Sequence, residues 1–88
     1  MTLEAGGKTY RVTQIFAAPV GDDLDLVVRH AVAGIADRNQ AARDNAAVIQ
    51  AIVGKYPELR AAFAGVVARA TAPSGDDYGS LVAMKDVR

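Results

Sequence analysis

Few side chains in this sequence are equipped for chemistry, and their spacing decides most of what they can do. His30 is the only histidine and cysteine is absent. That excludes disulfides, thiol nucleophiles and metal sites built on thiolates. A histidine acting as a general base needs a nucleophile within hydrogen-bond reach and a carboxylate to orient it. The next acid along the chain is Asp37, about two helical turns away and too far for a direct pair on a helix face. Gly7-Lys8-Thr9 has the last three residues of a phosphate-binding loop, but Thr2 stands where the loop's first glycine belongs. Such a loop must also lead into a helix whose N–H groups cradle the phosphates; here strand-forming residues follow. The acid clusters Asp22-Asp23-Leu24-Asp25 and Asp76-Asp77 lack the alternating ligands, central glycine and distant bidentate acid of a calcium loop. Helix capping accounts for both. The sequence predicts no catalytic, cofactor-binding or metal-binding residues, and it implies no small-molecule substrate.

Binding by bulk charge fares no better. Ten Lys plus Arg balance ten Asp plus Glu, for a formal net charge of zero. Arg11, Arg29, Arg38, Arg43, Arg60 and Arg69 are spread along the chain with acids or alanines nearby, whereas phosphate neutralisation needs several cations on one face. Nucleic acid is therefore not the expected partner. A small helical dimer reading DNA is kept as the first alternative, because Arg38, Asn39, Gln40 and Arg43 fall on one predicted helix.

The elements that must position these residues follow from pattern. A chain of 88 residues, 51% hydrophobic and 23% charged, is one small globular domain with a thin stability margin as a monomer. No apolar run approaches the ~18 residues of a membrane span, and the N-terminal segment has no secretory pattern; a cytoplasmic chain is expected, or a virion protein if phage-encoded. Thr2–Ala5, Gly6-Gly7 and Lys8–Phe16 read as a β-hairpin over 2–16. Pro19-Val20-Gly21 breaks the chain and Asp22 or Asp23 caps a helix over 24–36, with Leu24, Val27, Val28, Ala31, Val32 and Ile35 at helical spacing. Asp37, with Gln40 three residues on, marks a capping box that starts a second helix at about Arg38 to Val53. One continuous helix over 24–53 is the alternative, disfavoured because it would project about 45 Å from so small a domain. A third helix is predicted over Glu58–Ala70, with Leu59, Phe63, Val66, Val67 and Ala70 on its large-residue face. A loop over 71–79 leads to a C-terminal element, 80–88, whose pattern fits either helix or strand. The pentapeptide Pro19-Val20-Gly21-Asp22-Asp23 is echoed by Pro73-Ser74-Gly75-Asp76-Asp77 and is read as the same helix-start chemistry used twice. The predicted fold is mainly α (α+β): an N-terminal hairpin, three helices and a short terminal element across the helical region 22–70 and its tail.

The sequence feature that points outward is a strip of small residues. Opposite the large-residue face of the third helix lie Ala61, Ala64, Gly65 and Ala68, where charges belong on a solvated surface. A mid-helix glycine is unfavourable by about 1 kcal/mol relative to alanine, and small residues allow close approach of a second surface. Asn45 falls within the apolar arc of the second helix, and a buried amide is unfavourable unless hydrogen-bonded; in helical assemblies one such group fixes register. Ala61, Ala64, Gly65, Ala68 and Asn45 are thus the candidate interface. The expected role is a non-catalytic structural or interaction subunit of a homo- or hetero-oligomeric assembly, such as a phage virion or a bacterial multi-subunit complex, with copies of itself or other chains as partners. A second alternative is an accessory subunit of an enzyme whose active site lies on another chain.

Overall fold

The computed structural model describes residues 1–32 and 37–87. Five strands form one mixed sheet in chain order, β1 (Thr2–Ala5), β2 (Lys8–Val20), β3 (Asp23–Ala31), β4 (Gly65–Thr71) and β5 (Asp77–Ala83). Only β3 and β4 run parallel, and the crossover between them holds the 18-residue helix α1 (Arg38–Lys55) and the single turn α2 (Leu59–Ala62). A 3₁₀ turn, Met84–Asp86, closes the chain. The protein is mainly β, not mainly α.

The N-terminal hairpin forms as the sequence predicts. Gly6 and Gly7 both take positive φ, +59° and +78°, the requirement of a two-residue turn matched to the twist of its strands. Its second strand runs four residues beyond the expected Phe16, because Gly21 (φ +61°) with Asp22 makes a second hairpin turn where a helix start was expected. The region 24–36 is accordingly strand and not helix as far as Ala31; the rest of that expectation, residues 33–36, lies outside the described residues. Leu24, Leu26, Val28 and His30 alternate with Asp25, Val27 and Arg29, a period of two that coexists with the helical spacing of Leu24, Val27, Val28 and Ala31. The third helix is likewise corrected: it is helical only over Leu59–Ala62, and Gly65–Thr71 is β4. The echoed pentapeptide starts strands. Gly75 also takes positive φ, +94°, and β3 and β5 each begin at the second aspartate of the motif.

The second predicted helix is present, two residues longer than expected. Asp37 is its N-cap, accepting from the Gln40 amide at 2.7 Å. The capping box is half made, since the Gln40 side chain turns to Asp44 at 3.2 Å. Helix α1 covers one face of the sheet. Val48, Ile49, Ile52 and Val53 pack there with Leu3, Tyr10, Val12, Leu26, Val28, Val66 and Ala68, and Met84 and Val87 close one end. The opposite face of the sheet has no element of the described chain over it.

Candidate functional site

Two arrangements concentrate polar and reactive groups, one sealed inside and one open. The sealed one lies between α1 and the sheet. Asp44 accepts from Lys8 Nζ at 3.1 Å, Tyr10 Oη at 3.4 Å and Gln40 Nε2 at 3.2 Å. The hydrogen bond to Asp44 raises the Lys8 ammonium above its usual pKa; burial raises the Tyr10 phenol, with the Asp44 carboxylate adding to it. The next residue, Asn45, is fully buried. Its amide nitrogen donates to the Tyr78 carbonyl at 2.9 Å and to Ser80 Oγ at 3.2 Å. A carbonyl only accepts, so Asn45 Oδ1 must face His30, and His30 Nε2 donates to it at 2.7 Å. His30 Nδ1 is buried and without a hydrogen-bond partner among the described residues. The imidazole is fully buried, with Tyr10 edge-on at 5.9 Å. Chemistry on an outside molecule needs access, and this histidine has none. The seam pins α1 to β3 and β5.

The open arrangement is the uncovered sheet face. Residues directly opposite in a sheet share a face, so the register builds it row by row. Phe16 pairs with Val27, Val27 with Val67 and Val67 with Leu81, an apolar row across four strands. Phe16 is 38% exposed and Leu81 65%, while Val27 between its neighbours is only 6% exposed. On one side of this row lies Gln14–Arg29–Arg69–Gly79, with Arg11 a further row out beside Ala31. On the other lies Ala18–Asp25–Gly65–Ala83. A bulge at Thr13 sets this frame: it adds one residue between the Val12–His30 and Gln14–Arg29 pairs, putting Gln14 and Phe16 on the open face.

The charges on this face are nearly unspent. Arg69 reaches Asp77 at 3.4 Å and lies along Gly79. Arg29 and Asp25, both half-buried, have no charged partner among the described residues, and Arg29 Nε is buried without a hydrogen bond. Two depressions flank the apolar row. One, about 550 Å³, is lined by Thr13, Gln14, Arg29 and Thr71; the other, about 190 Å³, by Val20, Asp23, Asp25, Gly65 and Leu81.

The sequence-derived candidates fall in different places. Ala61 and Ala64 are exposed, on α2 and in the link to β4. Gly65 and Ala68 are buried in β4 on opposite faces, Ala68 beneath α1 and Gly65 beneath the Asp25 carboxylate. Asn45 is held by this chain's own His30, Tyr78 and Ser80. The helical strip that joined four of them does not form, because residues 65–71 are strand. The closeness that Gly65 permits is local: a Cβ there would stand 2.8 Å from Asp25 Oδ1. The acids once assigned to helix caps start strands, and Lys8 of the Gly-Lys-Thr triplet is in β2 bonding Asp44.

What sequence reasoning missed is the Arg29–Arg69 neighbourhood. The two residues are forty positions apart and become adjacent only through the parallel register of β3 and β4. The alternation Asp23-Leu24-Asp25-Leu26 was the available signal for β3, but nothing local signals its partner. Among the described residues there is no group of three or more His, Asp or Glu placed to hold a metal, and no helix long and apolar enough to cross a membrane. No family model, curated protein or solved structure matches the chain, so its function is read from its geometry alone.

Proposed function

We propose that this protein is a non-catalytic interaction subunit whose contact surface is the uncovered sheet face. One observation carries the reading: the row Phe16–Val27–Val67–Leu81 presents apolar side chains across four strands with no covering layer among the described residues. Sheets normally bury both faces or make one face polar. Here the uncovered face is apolar at its centre and charged at its borders, the composition of a contact surface. The distal β2–β3 hairpin supports the same reading. Ile15 and Leu24, each 42% exposed, point to its helix-side face, and beyond Val12 the outer edge of β2 has no paired strand.

A photo-reactive amino acid at position 81, with the exposed helix position 42 as control, tests it in the cells that make the protein. A protein adduct at 81 and none at 42 is the expected result. Equal labelling at both positions, or none at either, refutes the reading. The arginines Arg11, Arg29 and Arg69 on one face carry the second reading, nucleic-acid binding, which Asp25 and Asp77 on that face oppose. A salt-dependent shift of duplex or single-stranded nucleic acid, abolished by Arg29→Ala, would favour it.

A further inference from the structure

The open face has a pattern that matches itself. On β3 the outward residues run Asp25, Val27, Arg29: an acid, an apolar centre and a base. At ~3.3 Å per residue, each charge stands about 6.6 Å from Val27 along the strand. The neighbouring strands repeat the apolar centre but not the acid, and only β4 repeats the base. On β4 the run is Gly65, Val67, Arg69, and on β5 Ala83, Leu81, Gly79. The acidic border also holds Asp23; the basic border also holds Arg11 and, in the same row on β5, Asp77, which Arg69 already reaches.

Building on the contact-surface reading, we infer that the occupant of this face is a second copy of the same chain, related by a two-fold axis lying along the Phe16–Val27–Val67–Leu81 row. Rotation about that axis lays each apolar row on its counterpart and reverses the strand direction. Arg29 of one protomer then faces Asp25 of the other, and the exchange occurs twice, as a closed isologous contact requires. Arg69, one strand over, approaches the same carboxylate diagonally. The small depression bordered by Asp23, Asp25 and Gly65 is where the partner's guanidinium enters, and Gly65 keeps the Asp25 carboxylate flat against the sheet.

Charge complementarity selects this occupant over others. Arg29 and Asp25 lack charged partners within the described chain, are both half-buried, and are opposite in sign. A polyanion would satisfy Arg29 and be repelled by Asp25, and a basic peptide the reverse. A second copy satisfies both. Two sheets stack about 10 Å apart in this way with their strands roughly aligned. Four strands ~4.8 Å apart and five rows of outward residues define roughly 500 Å² per copy. A standard interface buries about 800 Å² per partner, so this contact falls in the size class of small, transient interfaces.

Reciprocal charge swaps test it in solution. Sedimentation of the wild-type chain should show a concentration-dependent monomer–dimer equilibrium. Asp25→Arg and Arg29→Asp should each weaken dimerisation at least tenfold, because every exchanged contact becomes a like-charge pair. An equimolar mixture of the two variants should form a one-to-one heterodimer, and the double variant Asp25→Arg/Arg29→Asp should dimerise again. Leu81→Lys, at a position already exposed, should abolish dimerisation with the melting temperature of the monomer retained. A wild-type chain that stays monomeric overturns the inference, as do single variants that dimerise like wild type or a mixture that does not pair. If the wild type is monomeric while position 81 still cross-links to a different protein, the second-copy assignment falls and the contact-surface reading stands. If neither occurs, both fall.

Discussion

Replacing Asn45 by leucine should destabilise the fold severely although the two side chains share the same branched outline and number of heavy atoms. Asn45 is fully buried and makes three hydrogen bonds, to His30 at 2.7 Å, the Tyr78 carbonyl at 2.9 Å and Ser80 at 3.2 Å. Leucine leaves the His30 Nε2–H and the Tyr78 carbonyl without these partners in a dry interior. Each buried group left unsatisfied is unfavourable by about 1–3 kcal/mol, and the gained apolar contact offsets part of that, so the net loss is about 2–4 kcal/mol. A domain of this size is stable by on the order of 5–10 kcal/mol, and 1 kcal/mol corresponds to roughly 4–8 °C in melting temperature. Circular dichroism should therefore record a fall of roughly 10–25 °C, with a matching drop in the urea midpoint. The mechanism makes a sharper demand. His30→Leu should also destabilise, but the double variant should lose less than the sum of the two singles, by about 1–2 kcal/mol, since neither residue then lacks the other. An Asn45→Leu protein as stable as wild type, or a strictly additive cycle, refutes the view that this amide holds α1 to the sheet.

Four further outcomes follow from the same structure. The Lys8 and Tyr10 pKa values are raised in the folded state, so the native protein holds both protons to higher pH than the unfolded chain. Stability is then full below the unfolded-chain values of 10.5 and 10.0 and falls as pH rises through the folded values; alkaline denaturation should show this, and Tyr10→Phe with Lys8→Met should flatten the decline. Asp37→Ala should lower stability by about 1 kcal/mol through loss of the 2.7 Å cap bond, read from denaturant midpoints. Ala68→Leu should destabilise by about 1–3 kcal/mol by overpacking beneath α1, whereas Ala61→Leu, on exposed α2, should change stability by less than about 0.5 kcal/mol. Gly65→Ala should displace the Asp25 carboxylate, at a loss of under about 1 kcal/mol that Asp25→Ala relieves.

How much of this was legible in the sequence depends on how local the determining contacts are. Gly6-Gly7 announces its hairpin because positive φ is a property of the turn itself. Asp37 announces α1 because a cap acts within four residues. β3 was obscured because Leu26, Val27 and Val28 are consecutive apolar residues. Leu26 and Val28 face α1, while Val27 fills the open face between Phe16 and Val67, so the alternation breaks at its most apolar point. β4 was obscured by its alanines, which favour helix in isolation but fit under α1, where Ala68 and Ala70 are fully buried. The echoed turn was visible as a repeat, but its glycines were given to helix starts because the strands they precede were not recognised. The site was less legible than the fold. Arg29 and Arg69 were both noted, yet only the parallel register makes them neighbours. Asn45 was singled out as an amide among apolar residues and given to an interface, whereas its partners His30, Tyr78 and Ser80 come from two distant strands of the same chain that no helical pattern identifies.

The surface assignment as a whole meets its most direct test in solvent labelling of Phe16 and Leu81 by hydroxyl radicals, comparing the dilute purified chain with the protein in its native concentrated state. Both side chains should label readily when dilute and become protected together when concentrated, while exposed residues of α1 such as Gln50 label equally in both. Unchanged labelling of Phe16 and Leu81 across the two conditions would contradict the account.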